Sequence, residues 1–219
     1  MMRRISGQRG GGACRRPPPR SKGLAGVAPS STSRRASLAG TLAIADVEDR
    51  ATGEVITVAS IYASWEEPVA EAKSSWIYAD AAVHRLISDL SALIGRQQAP
   101  AMIVAGGLNL LRGYGEDGSA YWARRYSKVF DRMEAIGVPY LGPEHPNGAQ
   151  ASRWPMELPP ESTTVPTFRP RRSDPAAAAR QLDFVFASAA VRPRLTVTAL
   201  NRPGEWGSSD HCRVVIALR

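Results

Sequence analysis

Residues 181–188, QLDFVFAS, and residues 208–216, SSDHCRVVI, are the stretches that decide the fold of this chain. Each contains a short apolar run with β-branched or aromatic residues, which is typical of a strand. Polar side chains stand where these runs begin: Asp183 in the first, and Asp210 and His211 in the second. A carboxylate buried in an apolar strand must be paired or hydrogen-bonded, so we expect Asp183 to have a partner.

The rest of the chain alternates between strand and helix patterns. The sequence predicts a hairpin of strands 41–48 and 54–62, further strands at 101–107, 163–168, 181–187, 194–200 and 212–218, and helices at 75–94 and 119–136. Residues 138–162 are rich in proline and predict a loop. This order of elements favours a mixed-sheet α/β or α+β body over residues 41–219.

Residues 1–40 differ in composition from that body. They are rich in Gly, Pro, Ser and Arg, and their nine basic and no acidic residues account for the net charge of +8. Such a segment buries too little apolar surface to offset its ordering entropy, so we expect a disordered tail. A mispredicted start, a nucleic-acid-binding arm and a targeting peptide are the alternatives.

Composition excludes several classes of protein. No run approaches 18 consecutive apolar residues, which excludes a membrane-spanning helix. The two cysteines, Cys14 and Cys212, cannot form a disulfide framework, and the spacing of a Cys/His zinc site is missing. We expect a cytoplasmic rather than a secreted location, because no hydrophobic signal core is present. The sequence predicts no particular oligomeric state.

Polar residues at three strand ends suit phosphoester chemistry. Asn109 follows one predicted strand, Asp183 begins another, and Asp210 and His211 precede the last. A His oriented by one Asp can act as a general base or acid, and a second Asp can hold a hard cation. An Asn amide can donate to a phosphate oxygen. Together these groups favour metal-assisted attack of water on a phosphodiester or phosphomonoester.

The order of VASIYAS (58–64), IVAGGLNLL (103–111), TTVPTFRP (163–170), QLDFVFAS and SSDHCRVVI resembles the endonuclease/exonuclease/phosphatase superfamily of metal-dependent phosphoesterases. The resemblance implies a four-layer α/β/β/α sandwich with mixed, largely antiparallel sheets. It also implies Mg²⁺ or Mn²⁺ as cofactor and a phosphoester substrate. DNA, RNA, a phospholipid head group and an inositol phosphate are all candidate substrates.

The resemblance assigns roles to individual residues. His211 corresponds to the family's catalytic His, Asp183 to the Asp that orients it, and Asp210 to a metal-linked carboxylate. Asn109 corresponds to the Asn that contacts the scissile phosphate, and Tyr62 to a Tyr or His of the family's site.

The segment TFRPRRSD adds candidates for substrate binding. Thr167 corresponds to a Thr of the family's equivalent strand. Arg169, Arg171 and Arg172 are either a phosphate clamp at the mouth of the site or part of a solvated loop.

Departures from the family pattern predict impaired catalysis. The family's GDxN motif reads Gly106-Gly107-Leu108-Asn109, so Gly107 stands where the resemblance implies a carboxylate. No Gln precedes a Glu, so the metal-binding Glu of the family's Gln-Glu pair is missing. Mg²⁺ binds proteins weakly through few carboxylates. We expect weak or no hydrolysis, because losing one electrostatic element costs roughly 10²–10³ in rate.

The first part of the family pattern does not precede residue 41. We therefore expect an N-terminally truncated or decayed family member, or a gene model with the wrong start, whose sandwich lacks strands. A non-catalytic nucleic-acid-binding protein that uses residues 1–40 and the loop 169–172 is the alternative function. A chain that is never a stable cellular protein is the third hypothesis.

Overall fold

The computed structural model describes residues 39–50, 52–64, 79–95, 100–113 and 120–219. Its strands are β1 (Leu42–Asp49), β2 (Glu54–Tyr62), β3 (Met102–Gly107), β4 (Tyr140–Gly142), β5 (Asp183–Ala187), β6 (Leu195–Leu200) and β7 (Arg213–Leu218). Its α-helices are α1 (Ala79–Ile94) and α2 (Ala120–Ala135). Among these described ranges, neither helix has the length and apolar character needed to cross a membrane.

Five strands form one mixed sheet in the order β1-β2-β3-β5-β4. The β2–β3 pair is parallel and the other pairs are antiparallel. A parallel pair needs a crossover connection, and α1 lies in the connection between β2 and β3. The register places Tyr62, Gly107 and Asp183 next to one another across β2, β3 and β5. Two of the residues predicted for the site, Tyr62 and Asp183, thus lie at the same edge of this sheet, with Gly107 between them.

Different layers cover the two faces of the sheet. One face packs against α1 and α2 through a cluster of buried apolar side chains that includes Leu86, Leu90, Val129, Met133 and Phe184. The other face packs against the antiparallel pair β6–β7 through Ile56, Ile103, Val185, Leu195 and Val197. The described residues therefore form three layers, α/β/β, which confirms the predicted mixed α/β class.

Two predictions for the middle of the chain are wrong. Residues 163–168 do not form a strand: Phe168 makes isolated bridges to Arg180 and His211, and Pro166 has no N–H to donate to a ladder. The predicted loop 138–162 contains β4, whose three residues are too few for an alternating pattern to be recognised.

The remaining predicted elements agree with the structure to within a few residues. The start predicted for the first helix, 75–78, lies outside the described residues, as does residue 119 of the second. The tail predicted at 1–40 also lies outside them, except for residues 39–40.

Polar contacts join α1 to α2. Nε and Nη2 of Arg125 each lie 2.7 Å from Oδ2 of the buried Asp80. Nη1 of Arg132 donates to Nδ1 of His84 at 2.8 Å. Only an unprotonated ring nitrogen can accept this bond, so His84 is neutral with its proton on Nε2. Burial and the charge of Arg132 lower the pKa of His84, although Asp80 opposes the shift.

Acidification is therefore expected to weaken the α1–α2 contact. The pKa of His84 lies below its ordinary value of 6.5 in the folded chain, so unfolded chains bind this proton first. The stability from neutral His84 is complete above pH 6.5 and is lost as the pH falls through the folded pKa. Between about pH 7.5 and about pH 5.5, the melting temperature of wild type should fall further than that of His84→Gln. Equal losses would contradict this role.

Candidate functional site

The floor of the site is a row of three residues at one edge of the large sheet. Tyr62 and Gly107 end the parallel strands β2 and β3, and Asp183 begins the antiparallel β5. A Cβ at Gly107 would lie 3.4 Å from Oδ1 of Asp183 and 3.6 Å from the Tyr62 ring. Both are ordinary contact distances. Gly107 therefore leaves a gap between the phenol and the carboxylate that a small side chain would fill.

His211 and Asp183 form a hydrogen-bonded pair above this floor. Nδ1 of His211 lies 2.8 Å from Oδ2 of Asp183, although the two residues are 28 positions apart in the chain. Both side chains are partly buried. The bond to Asp183 raises the pKa of His211, burial opposes the rise, and the charge of Asp210 adds to it. With its proton shared towards Asp183, Nδ1 is occupied, and Nε2 is the atom that can exchange a proton with a ligand.

Thr167 supports the pair from beneath. Its hydroxyl oxygen accepts the backbone N–H groups of Leu182 at 2.9 Å and Asp183 at 3.0 Å, and the residue is 0% exposed. Its carbonyl accepts the N–H of Cys212 at 2.9 Å. Thr167 thus links the strand that carries Asp183 to the strand that follows His211.

Asn109 lies next to the floor of the site. Its Nδ2 donates to the carbonyl of Ala63 at 2.8 Å, which uses one of its two N–H groups. Its φ is 52°, a left-handed conformation that Asn tolerates better than most residues. This turn ties the ends of β2 and β3 together and holds the amide close to Tyr62 and Gly107.

The three arginines predicted to bind phosphate differ in their placement. Arg171 and Arg172 are exposed, whereas Arg169 is partly buried and donates to the carbonyls of Ser173 and Ser209. The backbone N–H of Arg169 also donates to the carbonyl of Asp210 at 2.9 Å. Arg169 is therefore held within the protein, whereas Arg171 and Arg172 are exposed to solvent.

A ligand set for a divalent cation is missing from the part of the chain that the structure describes. No group of three or more His, Cys, Asp and Glu side chains that could hold a metal occurs there. Gly107 offers no side-chain ligand atom, its carbonyl accepts the N–H of Ala63, and one oxygen of Asp183 is engaged by His211. The side chains in the described ranges therefore do not by themselves fit the Mg²⁺ or Mn²⁺ that the resemblance implies.

Two contributors to the site are not predicted by the sequence patterns. The Phe168 ring packs on the His211 imidazole, with 5.1 Å between the ring centroids. The hydroxyl of Ser209 accepts the backbone N–H of His211 at 3.0 Å. The signal for Ser209 is its position two residues before His211, a spacing typical of Ser/Thr turns. Phe168 has no signal in the sequence, because its contact with His211 depends on chain folding.

Solved structures share this architecture at low sequence identity. An AP endonuclease from Archaeoglobus fulgidus is 15% identical with a TM-score of 0.53, over 88% of this chain and 72% of that chain. AP endonuclease LMAP from Leishmania major is 15% identical with a TM-score of 0.53, over 82% of this chain and 55% of that chain. The endonuclease domain of TRAS1, a telomere-specific non-LTR retrotransposon, is 15% identical with a TM-score of 0.52, over 82% and 62% respectively.

The matched region spans less than two thirds of the TRAS1 and LMAP chains. No family model and no curated protein matches the sequence. These similarities show that the chain shares the fold of the two AP endonucleases and of the TRAS1 endonuclease domain.

Proposed function

We propose that this chain is a phosphoester-binding protein with the endonuclease/exonuclease/phosphatase fold whose hydrolytic activity is weak or lost. The observation that carries the proposal is the gap at Gly107, beside a formed His211–Asp183 pair. The pair supplies a proton donor and acceptor. Gly107 has no side chain to place beside this pair. Recognition of a phosphoester is thereby retained without the group that activates water.

Nucleic acid is the phosphoester that we propose as ligand. The structural neighbours are named as AP endonucleases and an endonuclease domain, which supports this choice. Asn109 can offer its second N–H to a phosphate oxygen. Tyr62 is 52% exposed beside Gly107 and can present its hydroxyl or its ring to a nucleotide. Arg171 and Arg172 are exposed and can pair with the phosphate backbone.

His211 supplies the charge for binding in this proposal. Since Asp183 raises the pKa of His211, the imidazole stays protonated to a higher pH than an isolated histidine. A protonated ring can donate from Nε2 to a phosphate oxygen while Nδ1 donates to Asp183. Thr167 holds the backbone of Asp183 and thereby the orientation of the pair. This mode of binding uses only side chains of the protein itself.

The test compares wild type with His211→Ala in two assays. Hydrolysis of plasmid DNA and of a chromogenic phosphodiester, with Mg²⁺ or Mn²⁺ present, is expected to be the same for both proteins and close to background. Binding of a labelled DNA duplex, measured by fluorescence anisotropy, is expected to be weaker for His211→Ala, because one charged donor is removed. Metal-dependent turnover by wild type that disappears in His211→Ala would overturn the loss of hydrolysis.

The alternative function is non-catalytic nucleic-acid binding that uses the basic residues 1–40. Their nine basic residues favour it, and binding would then fall steeply with salt. The same anisotropy assay separates the two, because His211→Ala leaves such a tail unchanged. Equal affinity of wild type and His211→Ala for the duplex would favour the tail over the site.

A further inference from the structure

The guanidinium of Arg169 is used within the protein. Nη1 donates to the carbonyl of Ser173 at 2.7 Å, and Nη2 donates to the carbonyl of Ser209 at 3.1 Å. Nε is buried and has no hydrogen-bond partner among the described residues. Cζ lies 5.9 Å from the centre of the Trp206 ring, and Trp206 is itself buried. The guanidinium thus hydrogen-bonds to two loops, one through each terminal nitrogen.

The backbone of Arg169 contacts the same turn as its side chain. Its N–H donates to the carbonyl of Asp210 at 2.9 Å. Arg169 therefore binds two consecutive carbonyls, those of Ser209 and Asp210, directly before His211. The preceding residue, Phe168, makes a bridge with His211 and packs on its ring. The turn that delivers His211 to Asp183 is held by this short segment.

We propose that Arg169 is a positioning residue, which holds the Ser209–Asp210 turn so that His211 meets Asp183, and that it does not itself contact phosphate. The physical reason is the cost of leaving the carbonyls without their charged donor. Hydrogen bonds to charged groups contribute more than neutral ones, and losing one partner leaves the other unsatisfied. A turn freed in this way shifts, and a shift of about 1 Å at a reacting group is enough to impair it.

Lysine and glutamine at position 169 separate positioning from phosphate binding. Lysine keeps the positive charge but lacks the planar fork that reaches two carbonyls in fixed directions. Arg169→Lys would therefore preserve most of a phosphate contact and lose the positioning. Arg169→Gln removes both the charge and the fork. Arg171→Gln is the matched control, because Arg171 lies two residues away and is exposed.

The experiment measures the His211–Asp183 hydrogen bond by NMR in the full chain. The Nδ1–H proton of His211 is expected to resonate far downfield in wild type, and its absence in His211→Ala assigns it. The signal is expected to disappear or broaden in Arg169→Lys and Arg169→Gln and to persist in Arg171→Gln. If Arg169→Gln gives no dispersed spectrum of a folded protein, Arg169→Lys decides alone. Persistence of the signal in every folded Arg169 variant would overturn the proposal.

Binding of a DNA duplex at several salt concentrations gives the second measurement. In a His211→Ala background, where the pair is already removed, adding Arg169→Gln is expected to leave the steepness of log K against log[salt] unchanged, whereas loss of a phosphate contact made by Arg169 itself would reduce that steepness by about 0.9. A fall of that size on adding Arg169→Gln to His211→Ala would overturn the proposal in favour of a phosphate clamp. The inference rests on the proposed function only in assuming that the His211–Asp183 pair binds a phosphoester. The NMR measurement needs neither DNA nor hydrolysis, so the two can fail separately.

Discussion

Replacing Phe184 with alanine is expected to lower the free energy of unfolding by about 3–5 kcal/mol. Phe184 is 1% exposed on β5, next to Asp183. Its ring lies edge-on to Phe130, with centroids 5.4 Å apart, and to Tyr140 at 6.1 Å. Truncation removes these contacts and leaves a cavity between the sheet and α2. Since a domain is stabilised by only about 5–15 kcal/mol, this single change brings the chain close to unfolding.

Denaturant unfolding followed by circular dichroism measures this effect. Phe184→Leu is the matched control, because it keeps the site apolar and most of its volume, and we expect it to cost about half as much or less. A loss below about 1 kcal/mol for Phe184→Ala would show that β5 does not pack against α2 as described.

The second large effect is expected at Gly106, where alanine should cost about 3 kcal/mol. A Cβ at Gly106 would lie 1.8 Å from the carbonyl oxygen of Ile61 on β2, and φ at this residue is +151°. All three nearest atoms belong to the backbone of Ile61, which has no side-chain freedom to move aside, so β2 and β3 must separate to relieve the clash. Gly107→Ala, one residue further, is expected to cost less than about 1 kcal/mol, because its Cβ meets atoms no closer than 3.4 Å.

Urea unfolding of the two alanine variants beside wild type tests this difference. Similar losses at both positions would mean that the close approach of β2 and β3 is not as the structure has it. The comparison also bears on function. Gly106 is required by the contact with Ile61, whereas the packing at Gly107 leaves room for a Cβ. The absence of a Cβ at position 107 is therefore not a requirement of the fold.

Most of the elements of this fold can be predicted from local patterns. The alternation in 41–62, the continuous apolar run before Gly106 and the helical spacing in 79–94 each depend on residues close in the chain. The predictions failed at β4 and at 163–168, where proline-rich stretches carry short ladder contacts made by distant partners. Such contacts leave no period in the sequence.

The residue types by themselves limit the chemistry of this protein, whatever conformation the chain adopts. A chain with Gly107 in its GGLN motif has no carboxylate to offer at that position, whatever its conformation. The pairing of His211 with Asp183, the burial of Thr167 and the inward turn of Arg169 required the assembled chain. Backbone propensity acts over a few residues, whereas the choice of which donor meets which acceptor depends on packing between segments that are far apart in the sequence.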